Sequence, residues 1–231
     1  MKLKLRLTRA LMLLTLATAP AAVVYGQEET YKFDLGASFG MSGYLGDVNQ
    51  VNMFRNPGFA AQAGMRYLID TRWALRTAFT AAGLKGNSAQ FSNKFPGLAD
   101  YSFTSTIYGL DLRGEFNFLP YGIGETFKRL KRWTPYLALG IGGVLSTSKG
   151  KTSGAFTIPM AAGFKFKLRE RLNLTAEFCM TKTFGDKLDG NLSDLQGIKS
   201  DFIKNTDWHS NILVGLTYEF GKRCSTCHYK D

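Results

Sequence analysis

The sequence has little of what catalytic and cofactor sites are usually built from. Of 231 residues only two are histidine, His209 and His228, and three are cysteine, Cys179, Cys224 and Cys227. The run Cys224-Ser225-Thr226-Cys227-His228 offers at most three metal ligands, short of a closed zinc site. It reads instead as a disulfide of an oxidising compartment or a pairing to a partner. His209 neighbours Ser210, but adjacent residues of a strand point to opposite faces, which excludes a nucleophile-base dyad. Proline is scarce at 6 and glycine plentiful at 25, a balance that suits strands and turns. Beyond residue 26 no apolar run is long enough for a membrane helix. Acidic residues are few, 18 against 29 Lys and Arg. The basic excess sits mostly in turns and tails, without the aromatic-basic clusters of nucleic-acid binders. Gly122-Ile123-Gly124 lacks the strand-to-helix setting of a phosphate loop, and no cofactor is implied.

The first 26 residues are different in kind. Lys2, Lys4, Arg6 and Arg9 precede an apolar run over residues 10–24, and Val24-Tyr25-Gly26 suits a cleavage site. This pattern predicts a secretory signal peptide, with the exported chain starting at Gln27. No cysteine stands at the junction to carry a lipoprotein anchor. Without those four basic residues, 25 cations remain against 18 acids, a net of +7.

What is abundant is alternation. Phe156, Ile158, Met160, Ala162, Phe164, Phe166 and Leu168 share one parity, and Thr157, Pro159, Ala161, Gly163, Lys165 and Lys167 the other. After Arg169-Glu170-Arg171 the pattern restarts and runs to Phe184. A period of two over this length predicts an antiparallel hairpin of two long strands with one greasy face. Each strand exceeds the ~9–11 residues that a tilted strand needs to cross a bilayer. The period recurs over residues 33–41, 58–68, 73–81, 102–118, 136–145 and 208–220, which makes eight strands. Residues 42–57, 85–100, 146–154 and 185–207 read as long loops, 69–72 and 169–171 as short turns, and 119–132 as a medium connection. Long and short connections alternate, with both termini on the short side, as in outer-membrane barrels. The fold expected is all-β: an eight-stranded antiparallel transmembrane β-barrel over 27–220, between a signal peptide at 1–26 and a periplasmic tail at 221–231.

Sidedness follows from the other parity. That face is rich in Gly and Ala, which suit the tight interior of an eight-stranded barrel better than a wetted surface. It also carries both charge signs, on Asp34, Arg66, Arg76, Asp111, Arg113, Glu115, Lys165, Lys167, Glu177 and Glu219. These predict an ion network across the lumen. Glu115 and Glu177 belong to it as structural partners of Arg66, Arg76 and Arg113 rather than as a pair of catalytic acids. Aromatics cluster at strand ends (Tyr31, Phe33, Tyr67, Trp73, Phe116, Phe118, Trp133, Phe184, Trp208, Tyr218 and Phe220), as in interfacial girdles. A lumen of this size is filled by side chains, so no wide pore is expected.

Two stretches stand out as partner surfaces. One is the 119–132 connection, with Lys128, Arg129, Lys131 and Arg132, together with the tail bearing Cys224 and Cys227. The other is the last loop, with Asp186-Lys187-Leu188-Asp189-Gly190. The basic residues equally suit snorkelling to lipid headgroups.

Four segments carry a resemblance. They are Tyr44-Leu45-Gly46-Asp47, Arg55-Asn56-Pro57-Gly58-Phe59, Leu110-Asp111-Leu112-Arg113-Gly114-Glu115-Phe116-Asn117-Phe118, and Thr183-Phe184 leading into Lys187-Leu188-Asp189-Gly190. Together they resemble the PorG-like outer-membrane β-barrels of the Bacteroidetes, which are associated with type IX secretion. The resemblance spans most of the chain after residue 26. It implies a non-enzymatic accessory barrel that contacts the periplasmic ring made by the PorK lipoprotein and PorN, and it brings no catalytic residues with it. The alternative is a stand-alone small outer-membrane barrel, porin-like or adhesive, acting through its extracellular loops.

Overall fold

The computed structural model describes residues 31–45, 54, 56–87, 102–123, 129–148, 151–184 and 208–221. Eight strands form: β1 (Phe33–Leu45), β2 (Gly58–Leu68), β3 (Trp73–Asn87), β4 (Ser102–Asn117), β5 (Trp133–Ser148), β6 (Lys151–Lys167), β7 (Leu172–Phe184) and β8 (Trp208–Phe220). Each pairs antiparallel with its neighbour in sequence, and β1 closes on β8 from Phe33↔Phe220 to Leu45↔Trp208. Closure leaves no open sheet edge around the wall, the condition for a sheet to stand in lipid. Gly221, at φ 110°, takes the left-handed conformation that ends β8.

The pleat sorts the side chains as the alternation requires. Phe59, Leu110 and Leu139 are 66%, 62% and 61% exposed, and they belong to a continuous outward belt of Leu, Phe, Ile, Val and Met. Burying one such side chain away from water gains roughly 1.5–3 kcal/mol. A full belt of them is stable only against hydrocarbon. Aromatic pairs line the end that holds the short turns: Phe33–Tyr67 at 5.5 Å, Trp73–Phe116 at 4.8 Å and Trp133–Phe164 at 5.6 Å between ring centroids. At the opposite, loop end Phe156 meets Phe184 at 5.8 Å, and Lys182 Nζ lies 5.5 and 5.7 Å from the Phe184 and Trp208 rings. Tyr31 is a correction to the girdle reading. It is buried, because Arg171 covers its ring.

The loop end also departs from expectation. Residues 146–154 are not a long loop. They continue the β5–β6 hairpin through Ser146↔Ser153, Thr147↔Thr152 and Ser148↔Lys151. β1 likewise takes in Tyr44 and Leu45, and β3 runs on to Asn87. Strands β3 to β6 have 15–17 residues and the others 11–13, so the wall stands taller on that side. The physical reason lies in the side chains there. Thr104, Thr106, Thr147 and Thr152 point outward beyond the apolar belt. A strand above the hydrocarbon no longer shows a greasy parity, although its backbone ladder continues.

The interior is layered. Toward the loop end Tyr44, Ala60, Ala82, Leu84, Ile107, Val144 and Leu213 pack into an apolar cluster. Toward the turn end the filling is polar and charged. Two cavities in the lumen measure about 20 and 10 Å³, the room of a single water each.

Candidate functional site: the charged lumen and the turn end

The register of the strands brings four cations and four anions together in the lumen. Arg66 on β2 donates from Nε to both Glu115 oxygens at 3.0 Å, and from Nη1 to Asp34 Oδ2 at 3.2 Å. Arg76 on β3 bridges Glu115 (3.3 Å) and Glu177 (2.5 Å), and its Nη2 donates to Gln62 Oε1. Arg113 holds both Asp111 oxygens at 2.6 and 2.7 Å and reaches Glu177 at 3.1 Å. Lys165 Nζ donates to Glu115 at 2.6 Å and to Asn117 at 3.2 Å, and lies 4.5 Å from the centre of the Tyr136 ring. Tyr136 Oη donates to Glu177 at 2.5 Å. Glu115 is thus met by Arg66, Arg76 and Lys165, and Glu177 by Arg76, Arg113 and Tyr136. Both oxygens of each carboxylate are engaged by donors of the wall, which makes Glu115 and Glu177 structural partners of the cations.

A second, smaller cluster lies nearer the turns. Lys167 Nζ donates to both oxygens of Glu219 at 2.7 Å, and Asn173 Nδ2 to Glu219 at 3.0 Å and Thr217 at 3.2 Å. Thr217 in turn donates to Asp34 at 3.0 Å. Tyr121, from the β4–β5 connection, completes this floor. Its hydroxyl donates to Asn173 Oδ1 at 2.8 Å, and Lys167 Nζ lies 5.3 Å from its ring centre. The backbone holds it there: Tyr121 N–H donates to Thr71, Gly122 N–H to Lys131, and Lys131 N–H to Pro120. Burial first, then the carboxylates of Glu219 and Asp34, push the Tyr121 phenol well above the usual phenol range.

Glycine sets the fit in the upper network. Tyr136 and Gly163 are cross-strand neighbours on β5 and β6. A Cβ on Gly163 would stand 2.5 Å from the Tyr136 ring. The missing side chain is what lets the ring lie flat and its hydroxyl reach Glu177.

Arg66, Arg76, Asp111, Arg113, Glu115, Lys165, Glu177 and Glu219 all lie inside the wall, Glu219 in the lower cluster and the rest in the upper one. Of the surface candidates, Arg129, Lys131 and Arg132 are exposed at the turn end. Lys128, Cys224 and Cys227, like the signal segment, the tail beyond Gly221 and the Asp186–Gly190 stretch, lie outside the described residues. Sequence reading missed the neutral partners. Gln62, Asn117, Asn173 and Thr217 share the parity of the charges and could have been found by it. Tyr121 lies in no strand and carries no such signal. His209 is buried on the inner face with Nδ1 3.4 Å from Thr183 Oγ1, and Cys179 is buried with Sγ 3.6 Å from Thr181 Oγ1.

Comparison with known proteins gives this geometry a family. The profile of the family described as "Domain of unknown function (DUF6089)" matches residues 15–229. The chain belongs to the DUF6089 family. No curated protein sequence matches it. Among solved structures it is similar to Neisserial surface protein A (NspA), with 14% identity and a TM-score of 0.52 over 84% of this chain and 100% of that one. Ail, the attachment invasion locus protein of Yersinia pestis, aligns over 83% and 99% at 14% identity and TM-score 0.46. The outer membrane protein OprG from Pseudomonas aeruginosa aligns over 84% and 98% at 11% identity and TM-score 0.45. The likeness to NspA is one of fold: the chain is a small eight-stranded barrel of the outer-membrane type.

Proposed function

We propose that this chain is a non-enzymatic barrel of the outer membrane that serves type IX protein secretion. Its turns and termini face the periplasm, and its turn end docks the ring of PorK and PorN. One observation carries the reading. The described charges of the lumen pair with one another, and two cavities lined by described residues each hold about one water, while the turn end presents Arg129, Lys131 and Arg132 to solvent. A barrel built this way acts through its surfaces and not through its bore. The segment 110–118, part of the resemblance to PorG-like barrels, supplies Asp111, Arg113 and Glu115 to the lumen network. The resemblance therefore falls on residues that define this interior. Lys128, Cys224 and Cys227 join the exposed basic residues as candidate contacts.

A tagged full chain, solubilised from its host membrane, is expected to co-purify with both ring proteins. Deleting residues 221–231, or exchanging Lys128, Arg129, Lys131 and Arg132 for Gln, is expected to cut that recovery at least tenfold. Recovery of no ring protein with the unaltered chain would end the secretion reading. The taller β3–β6 wall favours a second reading, a stand-alone barrel acting through its extracellular loops. Loss of phenotype on trimming residues 88–101 and 185–207, with ring recovery unchanged, would favour it.

A further inference from the structure

Positive charge at the turn end is not confined to Arg129, Lys131 and Arg132 of the β4–β5 connection but continues around the barrel. Lys32 precedes β1, Arg72 closes the β2–β3 turn, Arg132 precedes β5, and Arg169 and Arg171 lie in the β6–β7 turn; all five are exposed. The acids described beside them are engaged in the fold. Asp70 Oδ1 accepts the backbone N–H groups of Arg72 and Trp73 at 2.6 Å, and Glu170 Oε1 accepts from Tyr31 at 3.2 Å. The cations stand just beyond Tyr67, Trp73, Trp133 and Tyr218, where the apolar belt ends. A protein partner reaches a barrel end from one direction. What encircles the wall at this level is the headgroup layer of a leaflet.

Arg171 is held in place there. Its Cζ lies 4.9 Å from the centre of the Tyr31 ring, its Nε donates to Tyr31 Oη at 2.9 Å, and its Nη1 donates to Tyr218 Oη at 3.3 Å. Tyr218 faces lipid and is 47% exposed. The guanidinium is therefore fixed in orientation at the edge of the lipid-facing wall while remaining open to solvent. A planar, delocalised fork already oriented by two phenols is matched to the two free oxygens of a phosphodiester. We propose that Arg171, positioned by Tyr31 and Tyr218 and flanked by Arg169, binds the phosphodiester of an anionic glycerophospholipid in the leaflet at the turn end. The surrounding cations select a lipid with net negative charge over a zwitterionic one, and added salt weakens the preference. The site stands whether or not a ring docks beneath it.

Native mass spectrometry of the full chain in non-ionic detergent tests this, with phosphatidylglycerol and phosphatidylcholine offered at equal concentration. Phosphatidylglycerol is expected to stay bound at collision energies that strip phosphatidylcholine. The R169Q/R171Q variant is expected to lower phosphatidylglycerol occupancy about tenfold. R171K, which keeps the charge and loses the fork, lowers it about threefold, and K182Q at the loop end leaves it unchanged. The heat-modifiable shift on gels confirms that each variant is folded, and R171K carries the test if the double variant is not. Inorganic phosphate at the same concentration is expected to leave occupancy unchanged. Equal retention of the two lipids, unaltered retention by folded R171K, or displacement by inorganic phosphate would each overturn the assignment.

Discussion

At the scale of single residues, Glu115 is where the lumen's charge converges. Arg66, Arg76 and Lys165 all donate to it, and its side chain is fully buried. Removing one partner of a buried ionic set costs far more than the set contributes, because the remaining charges keep their desolvation penalty. Glu115→Leu is therefore expected to destabilise the barrel by about 3–5 kcal/mol, read as a lowered denaturant midpoint in lipid vesicles. Tyr136→Phe removes one donor from Glu177 and is expected to cost about 1–3 kcal/mol in the same assay. Gly163→Leu should reproduce that loss and add to it, since it drives the Tyr136 ring off its seat. Tyr121 offers a pH signature. The phenol is raised above its ordinary 10.0 in the folded chain, so its contribution is present in full below about pH 10 and falls as pH rises beyond it, where only the unfolded chain gives up the proton. The stability difference between the native chain and Tyr121→Phe, measured at pH 9 and again at pH 11, should shrink at the higher value.

At the scale of strands, β2, β7 and β8 have the bounds that alternation predicts, because apolar side chains stand near both of their ends: Phe59 and Tyr67, Leu172 and Phe184, Trp208 and Phe220. β3, β5 and β6 do not. Lys85, Thr147 and Thr152 face outward above the belt, and there hydrophobic parity loses its meaning while strand pairing persists. A test of this boundary is an outward arginine at two heights on β5. Leu139→Arg, mid-belt, is expected to cost about 2–4 kcal/mol, whereas Thr147→Arg should stay within about 0.5 kcal/mol of the native chain. Parity also revealed which residues enter the lumen but not which cation meets which anion. That depends on the stagger between strands. It set Arg66 opposite Arg76, with Glu115 coming from one strand further on. Tyr121 stayed hidden because a connection has no period to read.

At the scale of the whole molecule, the barrel is a closed wall around an interior whose described charges balance, with apolar and hydroxyl-bearing side chains mixed toward the loops and ionic ones toward the turns. Planar-bilayer recordings of the full chain are expected to show no steady conductance, and a sustained open channel would contradict this packing. The same interior dictates how the molecule is made. Arg66 and Arg76 face each other across the β2–β3 hairpin with no acid on either strand to balance them, and their counter-charges arrive on β1, β4 and β7. A hairpin entering hydrocarbon alone would carry two bare guanidinium groups, at about 2.5–3.5 kcal/mol each near the bilayer centre. Biogenesis must therefore curl the sheet and neutralise its own cargo of charge before the wall meets acyl chains, so nascent barrels require a shelter at the membrane rather than stepwise insertion.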